Sequence, residues 1–232
     1  MNCCICGSDY SVVGEDIYKC PSCKHIYVNF LGDTLKYHKS EYRTNSHGTR
    51  SESEILDGEI TEFFHKKRNN ICNGRLDILQ EFCKKGSVLD IGSGGGTFAL
   101  KLRSSGFDIE CQEISSICIN HLKKNKFKVY EGDFCSLDFD RTYDVVTCWH
   151  VLEHIKHLRP FVKKCSEVCS NLLILEVPIN RIIHPPNKIW DGHFHYFSED
   201  SLEEVFEEYF EVLSISEDGC QKPCLLAILK KK

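Results

Sequence analysis

The chain has 232 residues, enough for one α/β domain with a small appended module. Its formal net charge is −5, with lysines and acids interspersed, which gives no electrostatic case for binding nucleic acid. The apolar runs, such as residues 172–175, are far too short to span a bilayer. We therefore expect neither a membrane nor a nucleic acid as partner, and no pattern in the sequence indicates an oligomeric state.

Fifteen cysteines are present, and their number bears on the redox compartment. The count is odd, the chain is longer than a small disulfide scaffold, and no apolar export signal is seen at its start. We therefore expect a reducing cytoplasm, in which a few cysteines bind metal and the others are small buried apolar side chains.

Two Cys-x2-Cys pairs lie near the start of the chain: Cys3 with Cys6, and Cys20 with Cys23. Four thiolates at such spacing form a closed tetrahedral site for structural zinc, whereas the alternative is a set of free buried thiols. Residues 1–30 are too few to bury a core of their own, so a metal would stabilise them. The sequence predicts a zinc-ribbon-like module over residues 1–30.

Cys4 and His25 are alternative ligands within this module. Only Cys3 gives the two-residue spacing to Cys6, so Cys3 is preferred to Cys4. His25 can replace one thiolate, but the sequence favours a solvated polar side chain at that position.

The next two segments differ in pattern. Residues 31–58 are polar with scattered aromatic side chains, and they predict a connector. Over residues 60–83, apolar side chains recur at spacings of three and four, which predicts an amphipathic helix that Asn73-Gly74 can interrupt.

From Gly86 onward, short apolar runs alternate with helical patterns. Strands are predicted at residues 88–91, 108–112, 128–131, 143–147, 171–177, 210–215 and 224–229, and helices at 97–105, 115–125, 158–169 and 198–209. Such alternation implies parallel strands with helices on both faces of a sheet. The last two runs have no helix between them and predict a hairpin. The predicted fold class is therefore α/β, with a doubly wound, mostly parallel seven-stranded sheet over residues 59–232 and an antiparallel last strand.

A glycine-rich turn follows the first strand of this pattern, at Gly92, Gly94 and Gly96. Glycine allows backbone to turn with positive φ or to lie against a ligand. The glycine spacing differs from the dinucleotide fingerprint G-x-G-x-x-G, which argues against a nicotinamide oxidoreductase.

Two carboxylates accompany the turn. Asp90 precedes it, and Glu113 ends the next apolar run, where a carboxylate can hold both hydroxyls of a ribose. The pair suits a cationic amino-acid nucleoside better than a diphosphate.

These residues carry a resemblance to a known family. The stretch Val88-Leu89-Asp90-Ile91-Gly92-Ser93-Gly94-Gly95-Gly96 resembles the first motif of class I S-adenosylmethionine-dependent methyltransferases, and the likeness covers most of residues 60–230. It implies a Rossmann-like fold and S-adenosylmethionine as cofactor. It further implies that Asp133 meets the adenine amino group and that Phe134 flanks the ring. The cofactor set is then Asp90, Gly92, Gly94, Glu113, Asp133 and Phe134.

The cysteine pairs and the connector together resemble the front end of small-molecule and sugar methyltransferases that carry an N-terminal zinc ribbon. In those proteins a tyrosine-bearing segment folds over the substrate. The resemblance implies substrate-side roles for Tyr37 and Tyr42. The alternative is that both tyrosines pack the ribbon onto the main domain.

Two histidine segments are candidates for acid–base chemistry. Residues 150–155 match a family segment that places His150 and Glu153 near the methionine end of the cofactor. Residues 191–198 resemble a stretch of the sugar C-methyltransferases in which a histidine at the position of His193 transfers protons beside a glutamate. Gly192 stands where that glutamate would be, so specific sugar C-methylation is in doubt. His193 is the first candidate for a general base and His150 the second, with a structural hydrogen bond as the alternative role.

The sequence thus predicts an S-adenosylmethionine-dependent methyltransferase. Its acceptor would be a small polar molecule, such as a sugar or sugar nucleotide, with a histidine removing the acceptor's proton. One alternative is a methyltransferase of RNA or protein, and the acidic net charge argues against RNA. The other is a non-catalytic scaffold whose ribbon binds a partner, and the intact cofactor set argues against it.

Overall fold

The computed structural model describes residues 1–29, 62–179, 192–221 and 223–232. The strands are β1 Ser11–Gly14, β2 Ile17–Lys19, β3 Ile26–Val28, β4 Ser87–Ile91, β5 Asp108–Glu113, β6 Val129–Glu131, β7 Tyr143–Trp149, β8 Cys169–Pro178, β9 His195–Tyr196, β10 Phe210–Ser216 and β11 Cys224–Lys231. The α-helices are α1 Glu62–Phe82, α2 Thr97–Ser104, α3 Ser116–Lys124, α4 Leu158–Val168 and α5 Glu199–Phe206, and two 3-10 turns span Phe134–Ser136 and Leu152–His154.

A seven-stranded sheet carries the main fold, in the order β10-β11-β8-β7-β4-β5-β6. Strands β4, β5 and β6 are parallel neighbours, with Asp90 opposite Cys111 and Glu113 opposite Glu131. Strand β11 runs antiparallel to both β8 and β10. The predicted mostly parallel sheet with an antiparallel last strand is confirmed.

The chain divides into two compact units: Asp33–Val145, and Met1–Gly32 together with Val146–Lys232. In the unit Asp33–Val145, Gly96 is the N-cap residue of α2, and its φ of 78° is left-handed. A Cβ at Gly96 would lie 2.6 Å from Leu122 Cδ2 on α3, so a larger residue would have to displace the Leu122 side chain as well as adopt a left-handed φ.

Helix α1 continues without interruption through Asn73-Gly74. The interruption that the sequence allowed at this position does not occur. A glycine inside a helix costs about 1 kcal/mol, and the burial of Cys72 and Leu79 on one face of α1 offsets that cost.

The other unit contains a second, four-stranded sheet in the order β1-β2-β3-β9. Strand β3 pairs antiparallel with β9, with Ile26 opposite Tyr196 and Tyr27 opposite His195. Ile17, Ile26, Val28 and Tyr196 form a buried apolar cluster. The cysteine-bearing hairpins therefore share a sheet and a core with residues 195–196, from the far end of the sequence.

Helix α5 begins with a capping box. Ser201 N–H donates to Ser198 Oγ at 3.2 Å, and Ser198 N–H donates to Ser201 Oγ at 2.9 Å. Ser198 is therefore the N-cap residue of α5. Within the described ranges, none of the helices has the length and apolarity needed to cross a membrane.

Candidate functional site

The glycine turn after β4 folds back onto the end of β5. Gly92 and Gly94 have φ values of 66° and 55°, a region that glycine adopts freely. Gly94 N–H donates to Glu113 Oε2 at 2.6 Å, and Ser93 N–H donates to the Gln112 carbonyl at 3.1 Å. The turn thus presents backbone without side chains beside a carboxylate.

Glu113 is 7% exposed and ionisable, and its carboxylate is held by backbone amides. Oε1 accepts from Ile114 N–H at 2.7 Å and from Ser115 N–H at 2.9 Å. A carboxylate offers about four lone-pair sites. Three are used here, so Oε2 keeps capacity for a hydroxyl donor from a ligand.

Gln112 is a structural residue of this site that the sequence did not reveal. Its Oε1 accepts from Gly92 N–H at 3.1 Å, and its Nε2 donates to the Gly132 carbonyl at 2.6 Å. The side chain is buried and ties the turn after β4 to the turn after β6. The sequence feature that could have indicated Gln112 is its place near the end of β5, directly before Glu113.

Asp90, Glu113 and Asp133 lie at the carboxyl ends of three adjacent parallel strands, which is where open α/β sheets bind ligands. Asp90 is buried at the end of β4. Asp133 is half-buried after β6 and accepts from Ser136 Oγ at 2.8 Å. Phe134 is buried with its ring centroid 5.5 Å from that of Phe139. The structure brings the predicted cofactor residues together at one edge of the sheet.

His150 follows β7 in a left-handed conformation, with φ of 56°. Its Nε2 lies 2.9 Å from Glu176 Oε1, and its Nδ1 lies 3.2 Å from Glu153 Oε1. Both carboxylates are buried, Glu176 at 0% and Glu153 at 1% exposure. Burial alone would lower the pKa of His150, but the hydrogen bonds and charges of Glu153 and Glu176 outweigh it and raise that pKa to about 9. His150 is therefore an imidazolium at neutral pH, donating from both ring nitrogens.

Glu176 was missed by the sequence reasoning. It also accepts from Cys220 N–H at 2.5 Å, so one carboxylate anchors both the turn at His150 and the loop before β11. In the sequence, Glu176 can be recognised as a single acidic residue within the apolar run of β8.

His193 lies beside the 3-10 turn Leu152–His154. Its ring meets that of His154 edge-on, with centroids 4.5 Å apart. His154 Nδ1 donates to the Gly192 carbonyl at 2.9 Å. Donor atoms of Glu153, His154 and His193 all lie within 4.8 Å of one another, so the three side chains can act on one group. Glu153 Oε2 is buried and has no hydrogen-bond partner within the described part of the chain.

The four predicted zinc ligands converge. Cys3 Sγ lies 3.6 Å from Cys23 Sγ, Cys6 Sγ lies 3.4 Å from Cys20 Sγ, and all four sulfurs lie within 4.8 Å of one another. Zn–S bonds of about 2.3 Å place tetrahedral thiolates about 3.8 Å apart. The donor set therefore fits a tetrahedral metal ion. Cys4 Sγ instead lies 3.6 Å from the Tyr10 hydroxyl, which agrees with the preference for Cys3.

His25 is fully buried, so the prediction of a solvated side chain is wrong. Its Nδ1 lies 2.7 Å from the Tyr10 hydroxyl, and its Nε2 lies 3.0 Å from His195 Nδ1. Burial, and then the charge of His195, lowers the pKa of His25 well below its usual range, and burial lowers the pKa of His195 to about 4. Both rings are neutral at physiological pH. Strand β9 pairs with β3 and covers His25, and no local sequence pattern predicts this strand pairing.

Tyr37 and Tyr42, the predicted substrate-side residues, lie outside the described residues.

The chain belongs to the methyltransferase domain family, whose pattern matches residues 63–215. Over 134 residues it is 25% identical to the ubiquinone biosynthesis O-methyltransferase of Rickettsia conorii, a match that covers 55% of this chain and 45% of that protein. The chain thus spans less than half the length of the curated relatives it matches.

Solved structures share the fold. The magnesium protoporphyrin IX methyltransferase of Synechocystis PCC 6803 with bound SAM superposes with a TM-score of 0.64 at 13% identity, covering 88% of this chain and 100% of that one. DesVI of Streptomyces venezuelae gives a TM-score of 0.62 at 14% identity, covering 75% of this chain and 98% of the other. The resemblance to class I S-adenosylmethionine-dependent methyltransferases is confirmed.

Proposed function

We propose that this chain transfers a methyl group from S-adenosylmethionine to a small polar acceptor, such as a sugar or sugar nucleotide, with His193 as general base. The observation that carries the proposal is Glu113, a buried carboxylate held against a side-chain-free glycine turn in a chain of the methyltransferase domain family. The named relatives act in ubiquinone biosynthesis and on magnesium protoporphyrin IX, and they support a small molecule rather than RNA or protein as acceptor.

The cofactor-binding role rests on the edge formed by β4, β5 and β6. Glu113 Oε2 would accept a hydrogen bond from a ribose hydroxyl, and Asp133 would accept one from the adenine amino group with Phe134 beside the ring. Asp90 lies at the same edge, and the glycines at 92 and 94 let backbone approach the ligand. When bound, S-adenosylmethionine supplies a methyl group activated by the positive charge on sulfur.

The choice of His193 over His150 follows from charge. A general base must be neutral before it accepts a proton, and His150 is held as an imidazolium by two buried carboxylates. His193 would accept the acceptor's proton at a ring nitrogen. The carboxylate of Glu153, which lies in the same cluster, would stabilise the imidazolium that results.

The cysteine cluster would bind one zinc ion in a structural role, because four thiolates leave no open coordination position for a substrate. All fifteen cysteines lie in the described part of the chain and none forms a disulfide, which supports a reducing cytoplasm as the working compartment.

Calorimetry with S-adenosylmethionine tests the cofactor site. Glu113→Gln replaces an ionised acceptor by a neutral amide, and hydrogen bonds to charged groups contribute about 1.5–3 kcal/mol. The dissociation constant should rise at least about tenfold, since 1.4 kcal/mol is one decade. Glu131→Gln is the matched control, because Glu131 pairs with Glu113 in register but is exposed. An unchanged affinity in Glu113→Gln removes that residue from the cofactor site, and no binding by the wild type favours the scaffold alternative.

Turnover with an acceptor, found by screening small polar molecules for S-adenosylhomocysteine formation, tests the base. His193→Ala should lower kcat by about 10²–10⁴-fold and leave cofactor affinity unchanged. His157→Ala is the control because His157 is exposed, whereas His195 is buried and hydrogen-bonded and would confound it. Near wild-type turnover of His193→Ala would contradict its role.

A further inference from the structure

The strand that follows His193 is held from two sides by backbone hydrogen bonds. Phe194 N–H donates to the Glu153 carbonyl at 2.8 Å, on the 3-10 turn Leu152–His154. On the other side, Val28 N–H of β3 donates to the Phe194 carbonyl at 2.9 Å. Ser198 lies two residues after the end of β9, and its Oγ donates to the Cys23 carbonyl at 2.7 Å. The residue next to His193 is therefore fixed jointly by the cysteine-bearing hairpins and by the turn that carries Glu153.

A chain of buried side chains runs parallel to these backbone bonds. His195 Nε2 lies 2.9 Å from the Ile155 carbonyl, which only accepts, so His195 carries its proton on Nε2 and accepts at Nδ1. The partner at Nδ1 is His25 Nε2, which must then donate. His25 Nδ1 is left as an acceptor and receives the hydroxyl proton of Tyr10. One arrangement of protons thus satisfies every member, from Tyr10 through both imidazoles to Ile155.

The chain begins at the cysteine cluster. Cys3 Sγ lies 4.0 Å from His25 Nδ1, and the Tyr10 hydroxyl that serves the same nitrogen lies 3.6 Å from Cys4 Sγ. The ring of His25 also stacks on that of His195, with centroids 5.1 Å apart and planes 27° from parallel. The position of β9 is therefore tied to the geometry around the cysteines.

We propose that His25 and His195 are positioning residues for His193: the Tyr10–His25–His195–Ile155 hydrogen-bond chain fixes β9, and β9 in turn holds the preceding His193 against Glu153 and His154. This inference deepens the proposed function, in which His193 is the base. The cysteine-bearing hairpins then belong to the acceptor side of the enzyme and are more than a stabilising appendage.

The physical reason is the small tolerance of a proton-transfer geometry. Gly192, with φ of 86°, precedes His193, and its carbonyl accepts a hydrogen bond from His154 Nδ1. On the other side, the constraint on His193 comes from the backbone hydrogen bonds of Phe194 and from β9. A misplacement of about 1 Å can cost about 10²-fold in rate. Breaking one bond of a buried chain also leaves its partner unsatisfied, which favours a shift of β9.

Histidine side-chain NMR on ¹⁵N-labelled full-length protein tests the proposal without an acceptor. In the wild type, His25 and His195 should both appear as neutral Nε2–H rings. His25→Leu removes the donor to His195 Nδ1 and should shift the ring signals of His193, while His25→Gln, which keeps an N–H at the position of Nε2, should restore them. Tyr10→Phe removes the hydroxyl that donates to His25 Nδ1 and provides a second test variant. Its matched control is Tyr18→Phe in β2.

The outcomes separate the possibilities. Unchanged His193 signals in folded His25→Leu or Tyr10→Phe overturn the proposal, and so does an equal shift in Tyr18→Phe. If His25→Leu does not fold, Tyr10→Phe carries the test. With an acceptor in hand, His25→Leu should lower kcat about tenfold or more with unchanged cofactor affinity, and His25→Gln should recover most of it. Shifted His193 signals with unchanged kcat would uphold the positioning and refute His193 as the base.

Discussion

The charge of His150 can be tested through the pH dependence of stability. Its pKa is raised from the ordinary value of 6.5 to about 9 by the two buried carboxylates. Because the folded-state value lies above the unfolded one, the stabilisation is fully present below about pH 6.5 and is lost as the pH rises through about 9. At 1.36 kcal/mol per pKa unit, this difference corresponds to about 3 kcal/mol.

The perturbation is Glu176→Gln, which removes one of the two negative charges and keeps an oxygen near His150 Nε2. The pKa of His150 should fall, and the stability lost between pH 6.5 and 9 should shrink. Buried thiols also titrate at high pH, but they do so in both proteins, so the difference between the two curves isolates the histidine to first order. The free energy of unfolding from urea titrations at several pH values, together with an NMR titration of His150, measures both quantities.

The reasoning is refuted if His150 titrates near 6.5 in the wild type, or if the two stability curves stay parallel between pH 6.5 and 9. Either result would make the imidazole neutral at physiological pH. His150 would then return as a candidate base in place of His193.

Three further predictions concern other parts of the chain. The wild type should contain one zinc per chain by metal analysis, a Cys20→Ser, Cys23→Ser variant should lose it, and Cys4→Ser should keep it; equal zinc in all three would contradict the assignment. Gly96→Ala should lower the free energy of unfolding by about 2–5 kcal/mol, because left-handed strain of about 1–2 kcal/mol adds to overpacking of about 1–3 kcal/mol. Gly106→Ala, at φ 86° with open space around it, should show the strain alone, and equal losses in the two variants would contradict the packing argument. Gln112→Leu orphans the N–H of Gly92, so unfolding in urea should show a loss of about 1–3 kcal/mol, and an unchanged stability would contradict the bridging role.

Local periodicity predicted the alternating strands and helices to within a few residues, because each element buries one face or one stripe. The edge occupied by Asp90 and Glu113 was also predictable, since parallel strands end together and ligands bind there. The interruption that the sequence allowed in α1 does not occur because packing outweighs the propensity of one glycine.

The remaining features depend on contacts between distant residues. His150 and Glu176 are 26 residues apart, and their pairing depends on a left-handed residue that no local pattern indicates. The burial of His25 results from β9, and the bridge made by Gln112 joins two turns from different strands. Each of these features depends on a contact between residues that are distant in sequence. A pattern read within a short stretch of sequence therefore cannot predict them.

The pairing of β3 with β9 has a consequence for biosynthesis. His25 and His195 are 170 residues apart, so the hairpins β1–β3 leave the ribosome long before their fourth strand is made. Until then the outer edge of β3 has unpaired backbone groups, and such an edge can pair with another chain. A product that stops before β9 would keep that edge open permanently, and we expect it to aggregate where the longer chain does not.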